Sequence, residues 1–241
     1  YCVRRSGNCF MSLRNAGFFL IELMVALALG MLLVLAVTQV FLSARHTYLA
    51  QHAGAMAQQD ARFVLSKIAQ EIRMTGMFGC LAADRIVDAP AAFQTPIAWQ
   101  GSATSRSLTL ISADVGSQSS QPDWTVVSDC KSYAQSYSGS RAVLAPGETA
   151  FALRKIFYWF EGNQLKVGAN KAVLLDNVIA FDTSFGVSGA GSDQSVQRYE
   201  ASPARLGSIR SVRIALTLRD PGLQVKDQVY HLVVALRNRL S

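Results

Sequence analysis

The sequence predicts an α+β fold, in which one long N-terminal helix packs on a head built from an antiparallel β-sheet. Residues 19–75 contain no proline and change from a continuous apolar run to apolar residues at helical spacing. After Cys80 the chain breaks into short runs that alternate between apolar and polar residues, as strands do. The change of period predicts one helix from about Phe19 to Thr75 and strands after Cys80.

The first part of the predicted helix has the length and composition of a membrane span. Residues 18–37 form an apolar run of 20 residues in which Glu22 is the single ionisable side chain. A helix of that length spans about 30 Å, the thickness of the hydrocarbon core of a bilayer. Basic residues precede the run, so the N-terminus is expected in the cytoplasm and everything after about Arg45 in the periplasm or outside the cell.

A basic leader, residues 1–17, precedes this apolar run. Met11 begins a short basic stretch directly before it, so residues 1–10 are expected to be upstream translated sequence or an added expression segment. The leader carries three of the positive charges that make the net charge +7. The remaining excess is small and scattered, so nucleic acid is not an expected partner.

Glu22 requires a partner, because a carboxylate inside an apolar membrane helix costs roughly 2.5–3.5 kcal/mol on insertion scales. No Lys or Arg lies within reach on the same helix. If the chain is cut after Gly17, Phe18 gains an α-ammonium group four residues before Glu22. That cation could pair with Glu22 in the same helix or in a neighbouring subunit. The alternative is an incidental acid near the membrane interface.

The basic leader ending in Gly17, the following Phe18 and the acid Glu22 at the fifth position after them resemble the type III signal of type IV pilins and type II secretion pseudopilins. The resemblance implies that a prepilin peptidase cleaves after Gly17 and methylates the new amino group of Phe18. It also implies that Glu22 guides docking of the subunit into a growing filament. An ordinary secretory signal is the alternative, but its apolar core is shorter and a small-residue cleavage site follows it.

The second part of the helix is amphipathic, so the chain is divided into a membrane or filament-core helix (18–42), an amphipathic helix (43–76) and a pilin-like β-rich head (77–241). Gly76 and Gly79 are predicted to end the helix. The predicted buried face consists of Ala61, Val64, Leu65, Ile68 and Ile72, and the predicted solvent face of Gln59, Arg62, Lys67, Gln70 and Arg73.

The clearest strand pair lies near the C-terminus, on either side of the turn residues 220–222. Its apolar positions are Val212, Ile214, Leu216 and Leu218 in the first strand and Tyr230, Leu232, Val234 and Leu236 in the second. Further strands are predicted at residues 108–111, 124–127, 151–160 and 173–185. Residues 116–121, 131–140 and 186–195 are rich in Ser, Gly and Gln and are predicted to be exposed loops, either connectors or partner-binding segments.

Two cysteines, Cys80 and Cys130, fall in the head. An even number of cysteines in an exported region predicts one disulfide between them. In the aromatic run 157–160, strand alternation predicts two rings in the core and two at the surface.

The chain carries no recognisable catalytic or metal-binding motif. It lacks a P-loop, an HExxH motif and a nucleophile elbow. Of its three histidines, His46 and His52 are six residues apart and so lie on different sides of the helix, and His231 alternates with the apolar face of its strand. We therefore expect no enzyme activity, no catalytic residue, no bound metal and no cofactor.

Three short stretches resemble the minor pilins called PilW: residues 59–62 (QDAR), 71–80 (EIRMTGMFGC) and 237–239 (RNR). The resemblance implies a subunit that joins other minor pilins in a complex that primes pilus assembly. Its implied partners are the prepilin peptidase, the major pilin, a tip adhesin and the inner-membrane assembly platform. It implies a single-pass inner-membrane protein with a periplasmic head, later located at the pilus tip. A J-type pseudopilin of type II secretion and a pilus-tip adhesin are the alternatives.

Overall fold

The computed structural model describes residues 19–102, 105–114, 121–141, 143–189 and 195–238. The chain divides into two compact units, Tyr1–Leu49 and Ala50–Ser241, which are described one after the other. The predicted residues Gly17 and Phe18 lie outside the described residues.

In the first unit the structure describes a single element, the N-terminal part of helix α1 (Leu20–Met74). Every residue from 19 to 49 is exposed, including large apolar side chains such as Leu20 at 76% and Leu33 at 67%. This helix is long and apolar enough to cross a membrane. Leucine and methionine are good helix formers, and the absence of proline leaves its backbone hydrogen bonds uninterrupted.

The second unit contains the rest of α1 and eleven described strands, which form two antiparallel sheets. Its described residues also form three short 3₁₀ helices, Ala83–Arg85, Ala91–Gln94 and Leu206–Ser208. The strands are β1 (Ile97–Gly101), β2 (Arg106–Ala113), β3 (Trp124–Ser128), β4 (Ala134–Ser138), β5 (Thr149–Glu161), β6 (Gln164–Val167), β7 (Ala172–Leu175), β8 (Val178–Ser188), β9 (Val196–Glu200), β10 (Ile209–Leu218) and β11 (Gln228–Ala235).

The first sheet has the strand order β1-β2-β5-β3-β4, with β6 beside β5 and β7 beside β6. Its central strand, β5, is 13 residues long and pairs with β2 on one side and with β3 and then β6 on the other. The second sheet has the order β11-β10-β8-β9. All these pairings are antiparallel, so the α+β fold class predicted from the sequence is confirmed, with the strands divided between two sheets.

The main core lies where the second part of α1 meets both sheets. The five predicted helix residues are all buried, and they belong to one apolar cluster with residues from each sheet, such as Leu108 and Tyr158 from the first and Phe181 and Ile214 from the second. Of the predicted solvent face, Lys67 is half-buried and the other four residues are exposed. A smaller cluster lies beyond the helix end, where the rings of Phe78 and Phe93 stack with centroids 4.2 Å apart.

Several strand boundaries differ from the predicted ones. The predicted strand 173–185 is two strands, because the chain turns at Asp176 and Asn177, and Asn177 adopts the left-handed conformation (φ 59°) that Asn tolerates. The remaining predicted strands are confirmed, and the pair around 212–218 and 230–236 forms β10 and β11 in the expected antiparallel register.

Two of the predicted loops are also corrected. Residues 131–140 contain β4, in which Ala134 and Ser136 are buried. The polar sequence of β4 does not predict a strand, and the strand forms because its backbone pairs with that of β3. Residues 186–188 continue β8, and residues 190–194 lie outside the described residues. The predicted loop 116–121 falls almost entirely outside them as well.

Two buried threonines give a test of this core. Thr183 is 5% exposed and its hydroxyl has no hydrogen-bond partner among the described residues, whereas Thr75 is 0% exposed and donates to the Glu71 carbonyl over 2.9 Å. We expect Thr183→Val to raise the free energy of unfolding by about 1 kcal/mol, because it removes an unpaired polar group. The matched change Thr75→Val should lower it by about 1 kcal/mol. Urea unfolding of both variants measures the difference, and equal effects would contradict the assignment.

Candidate functional site

The first candidate site is the start of α1, where Glu22 lies in the first turn. Its neighbours Leu20, Ile21 and Leu23 are apolar and 56–76% exposed. An anion in the first turn of a helix is favoured by the helix dipole, but this contribution is small compared with the cost of leaving water. The next cation along the described chain is Arg45, about 35 Å away along the helix axis. Glu22 therefore has no ionic partner within its own described unit.

The end of α1 is the second candidate site, because the stretch 71–80 begins there. The helix ends at Met74, and Gly76 follows with φ 76°, a left-handed conformation that glycine adopts without strain. The Gly76 N–H donates to the Ile111 carbonyl over 3.2 Å, which bonds the helix end to β2. Asn238 donates its side-chain N–H to the Thr75 carbonyl over 3.2 Å. The stretches 71–80 and 237–239 therefore meet in the folded head.

Glu71, on the buried side of the helix, is a charged residue that the sequence analysis did not single out. It is 9% exposed, and its carboxylate accepts hydrogen bonds from Lys67 over 3.0 Å and from the Tyr158 hydroxyl over 2.5 Å. Tyr158 is completely buried, and burial, together with the neighbouring Glu71 carboxylate, raises the pKa of its phenol well above the ordinary range. The pair joins the helix to β5 through a hydrogen bond shielded from water.

A signal for Glu71 is present in the sequence. It lies three residues after Ile68 and seven after Val64, so it belongs to the same helical stripe as the buried apolar residues. An acid on a buried stripe needs a partner, because burying an unpaired carboxylate is costly. The stripe predicts that a partner exists, and Lys67 lies four residues before Glu71, but the buried partner Tyr158 lies 87 residues away in the chain.

The predicted disulfide is present and joins Cys80 to Cys130, whose Cα atoms are 5.3 Å apart. Cys130 lies in a tight loop with φ 56°, and the Asp129 carboxylate holds this loop by accepting the backbone N–H groups of Tyr133, Lys131 and Ser132. These bonds, from Tyr133 first, hold the pKa of Asp129 well below its usual range. The covalent bond ties the segment after the helix to the β3–β4 hairpin.

The aromatic run 157–160 behaves as strand alternation predicts. Tyr158 and Phe160 are buried, whereas Phe157 and Trp159 lie half-buried on the opposite face, with their ring centroids 5.5 Å apart. Trp159 donates its indole N–H to the Gly168 carbonyl over 3.1 Å, which fixes its ring. These contacts account for the outer pair as part of the sheet surface.

Within the described ranges, no group of three or more His, Cys, Asp or Glu side chains could hold a metal ion. The two predicted disulfide residues are brought together, while Glu22 stays in the first unit and the helix-end residues in the second. Comparisons with protein-family models, curated proteins and solved structures find no match for this chain. The class of the molecule is therefore given by its fold: an α+β protein with an apolar N-terminal helix and a layout consistent with a pilin-like fold.

The Glu71–Tyr158 pair leads to a prediction about stability. Tyr158→Phe should lower the free energy of unfolding by about 1–3 kcal/mol, because Glu71 remains buried with one partner fewer. The wild type should also lose stability above about pH 10 more steeply than the variant, because the unfolded chain then ionises a phenol that the fold keeps neutral. Urea unfolding between pH 7 and about pH 11 measures both effects.

Tyr133→Phe is the matched control for this experiment. Tyr133 also bonds a side chain, Gln135, but it is exposed. Its replacement should change the free energy of unfolding by less than about 0.5 kcal/mol. Equal effects of the two substitutions would show that the buried pair does not stabilise the head.

The disulfide gives a second prediction. Replacing Cys80 and Cys130 together by Ser should lower the free energy of unfolding by about 2–4 kcal/mol, because the bond closes a loop of 50 residues in the unfolded chain. Reduction of the wild-type protein should have the same effect. Mass spectrometry of non-reduced, alkylated protein checks the bond directly, and two free thiols in the head would disprove it.

Proposed function

We propose that this protein is a minor pilin of the PilW type, which joins other minor pilins in a complex that primes type IV pilus assembly. The observation that carries the proposal is the apolar helix with a single carboxylate at its start, joined to a folded α+β head. A soluble protein would have to hide this apolar surface, whereas every residue from 19 to 49 is exposed here. Such a helix suits first a lipid bilayer and then the apolar interior of a filament.

Glu22 provides a reason for ordered assembly in this proposal. Cleavage after Gly17 creates an α-ammonium group on Phe18, and a neighbouring subunit presents its own Glu22 to that cation. In an apolar surrounding an unpaired carboxylate is costly, so a subunit whose register leaves Glu22 unpaired is disfavoured. The pair thus selects the correct axial position of each helix, and no bond in a substrate is made or broken.

The contacts at the end of α1 support the assignment to the PilW type in particular. The stretches 71–80 and 237–239, which carry the resemblance, contact each other through Asn238 and Thr75. Two short matches far apart in the chain therefore belong to one local structure, so a single structural role accounts for both. Arg239 itself lies outside the described residues.

In this proposal the protein is first a membrane protein and then a subunit of the pilus. The chain is first inserted in the inner membrane with its head in the periplasm, where a prepilin peptidase cleaves and methylates it. It then joins other minor pilins, the major pilin, a tip adhesin and the inner-membrane assembly platform, and it ends at the pilus tip. The disulfide suits an oxidising compartment such as the periplasm.

Glu22→Ala tests this function in cells that make the protein. We expect the number of surface pili to fall by about tenfold or more, because a buried ion pair that guides docking is lost. Membrane insertion, the disulfide and a methylated N-terminal Phe18 should be unchanged in the variant, as shown by fractionation and mass spectrometry. Gln39→Ala, a neutral polar change in the same helix, is the control.

Three outcomes would contradict the proposal. Normal pili in the Glu22→Ala strain would rule out the docking role. Normal pili but failed protein secretion would indicate the J-type pseudopilin of a type II secretion system, which is expected to carry the same signal and anchor. Loss of surface attachment by loop deletions with pilus number unchanged would instead indicate a tip adhesin.

A further inference from the structure

The two sheets end in five edge strands among the described residues: β1, β4, β7, β9 and β11. An edge strand presents unpaired backbone N–H and C=O groups to which a strand of another protein can add. Natural edges are usually kept short, bulged, charged or covered.

Four of the edges have at least one of these protections. β1 is five residues long and β7 is four, with a register shift beside β7. β9 is five residues long, has a register shift and carries Arg198 and Glu200. β4 is covered by Val87, whose N–H donates to the Ala134 carbonyl over 2.9 Å and whose carbonyl accepts the Ser136 N–H over 3.0 Å.

The fifth edge, β11, lacks all of them within the part of the chain that the structure describes. It is eight residues long and pairs with β10 along its whole length without a register shift. Its sequence, QVYHLVVA, contains no proline and no Lys, Arg, Asp or Glu. A straight, uncharged edge of this length is the kind that accepts another strand.

The direction of the free backbone groups follows from one hydrogen bond. The Leu236 N–H donates to the Arg210 carbonyl over 2.9 Å, and the register places these two residues opposite each other. In an antiparallel pair, hydrogen-bonded and non-bonded positions alternate. The backbone groups directed away from β10 therefore belong to Val229, His231, Val233 and Ala235, and in the described part of the chain they have no hydrogen-bond partner.

The same four residues have exposed side chains, with Val229 at 54% and Val233 at 55%. The residues between them, Tyr230, Leu232 and Val234, pack against the main core and hold the strand in place. The strand is thus held against the core on one side, and its solvent face offers the branched apolar side chains of Val229 and Val233. The fitting occupant is an extended main chain with uncharged, branched apolar residues at alternate positions.

A second copy of this chain does not fit this edge through its own β11. Gln228 lies beside Gly54 and Asn238 bonds Thr75, so β11 runs in the same direction as the head part of α1. Two copies paired by two-fold symmetry would be antiparallel, with their Ala50 ends at opposite ends of the pair. In the proposed function each chain is anchored in the membrane through its Ala50 end. Two anchors at opposite ends of a pair could not reach the same membrane, so this exclusion rests on the proposed function. Symmetric pairing through two β11 edges is therefore excluded, which favours a segment of another protein as the occupant.

We propose that β11 is a docking edge to which an extended segment of a different protein adds as a fifth strand of the second sheet. The backbone of Val229, His231, Val233 and Ala235 supplies the hydrogen bonds. The side chains of Val229 and Val233 contact apolar residues of the incoming strand. The protein so bound is a neighbour of the head, and its attachment is independent of the contact made by Glu22.

Photo-crosslinking in cells tests this edge. The full-length chain carries p-benzoylphenylalanine at position 231, and an immunoblot against the chain detects adducts after illumination. We expect one adduct with a different protein. Val233→Pro removes an outward N–H and should reduce that adduct by about tenfold, because proline cannot donate the bond and is tolerated on a free edge. Val233→Thr keeps the N–H and the branched side chain and should leave the adduct in place.

Three other results would overturn the proposal. An adduct at twice the mass of the chain would show that a second copy binds, and no adduct would show that the edge is free. An adduct unaffected by Val233→Pro would show binding through side chains alone. If the proline variant fails to form the Cys80–Cys130 disulfide, Val233→Lys takes its place, because an edge lysine preserves the strand but disfavours strand addition. Adduct formation with normal pili in the Glu22→Ala strain would reject the proposed function but not this edge.

Discussion

Burial of one stripe of α1 against both sheets is the interaction on which the rest of the structure depends. Residues from the helix and from each sheet form one apolar cluster, so neither sheet has a complete core without the helix. Within that cluster Glu71 and Tyr158 make a polar contact that a shifted helix would break, because an unpaired buried acid is costly. The apolar contacts thus supply most of the stabilisation, while the polar pair helps to set the position of the helix.

The end of α1 is held by contacts from three parts of the chain. The Thr75 hydroxyl donates to the Glu71 carbonyl, and the Thr75 carbonyl accepts a hydrogen bond from the Asn238 side chain. The backbone N–H of the next residue donates to a carbonyl of β2. The disulfide then ties the same segment to the β3–β4 hairpin. A force applied along the helix therefore reaches the head through several bonds instead of one. This suits a protein whose helix is held in an apolar environment while its head lies in water.

The sequence predicted the fold class and the buried face of the helix because both depend on local spacing. The recurrence of apolar residues from Ala61 to Ile72 identifies a helical face without knowledge of its partner, and the alternation in 212–218 and 230–236 does the same for β10 and β11. The polar strand β4 and the turn at Asn177 were missed. Pairing with β3 determines the first, and a single left-handed residue inside an apolar run determines the second.

By itself, the sequence determined that Glu22 lies alone in a long apolar helix and that the head holds two cysteines. These facts need only composition and position along the chain. Only the tertiary structure decided that Glu71 meets Tyr158, that Asn238 reaches Thr75 and that the free backbone groups of β11 belong to Val229, His231, Val233 and Ala235. The reason is physical: periodicity shows which side of an element is buried, whereas its partners depend on contacts between segments far apart in the chain.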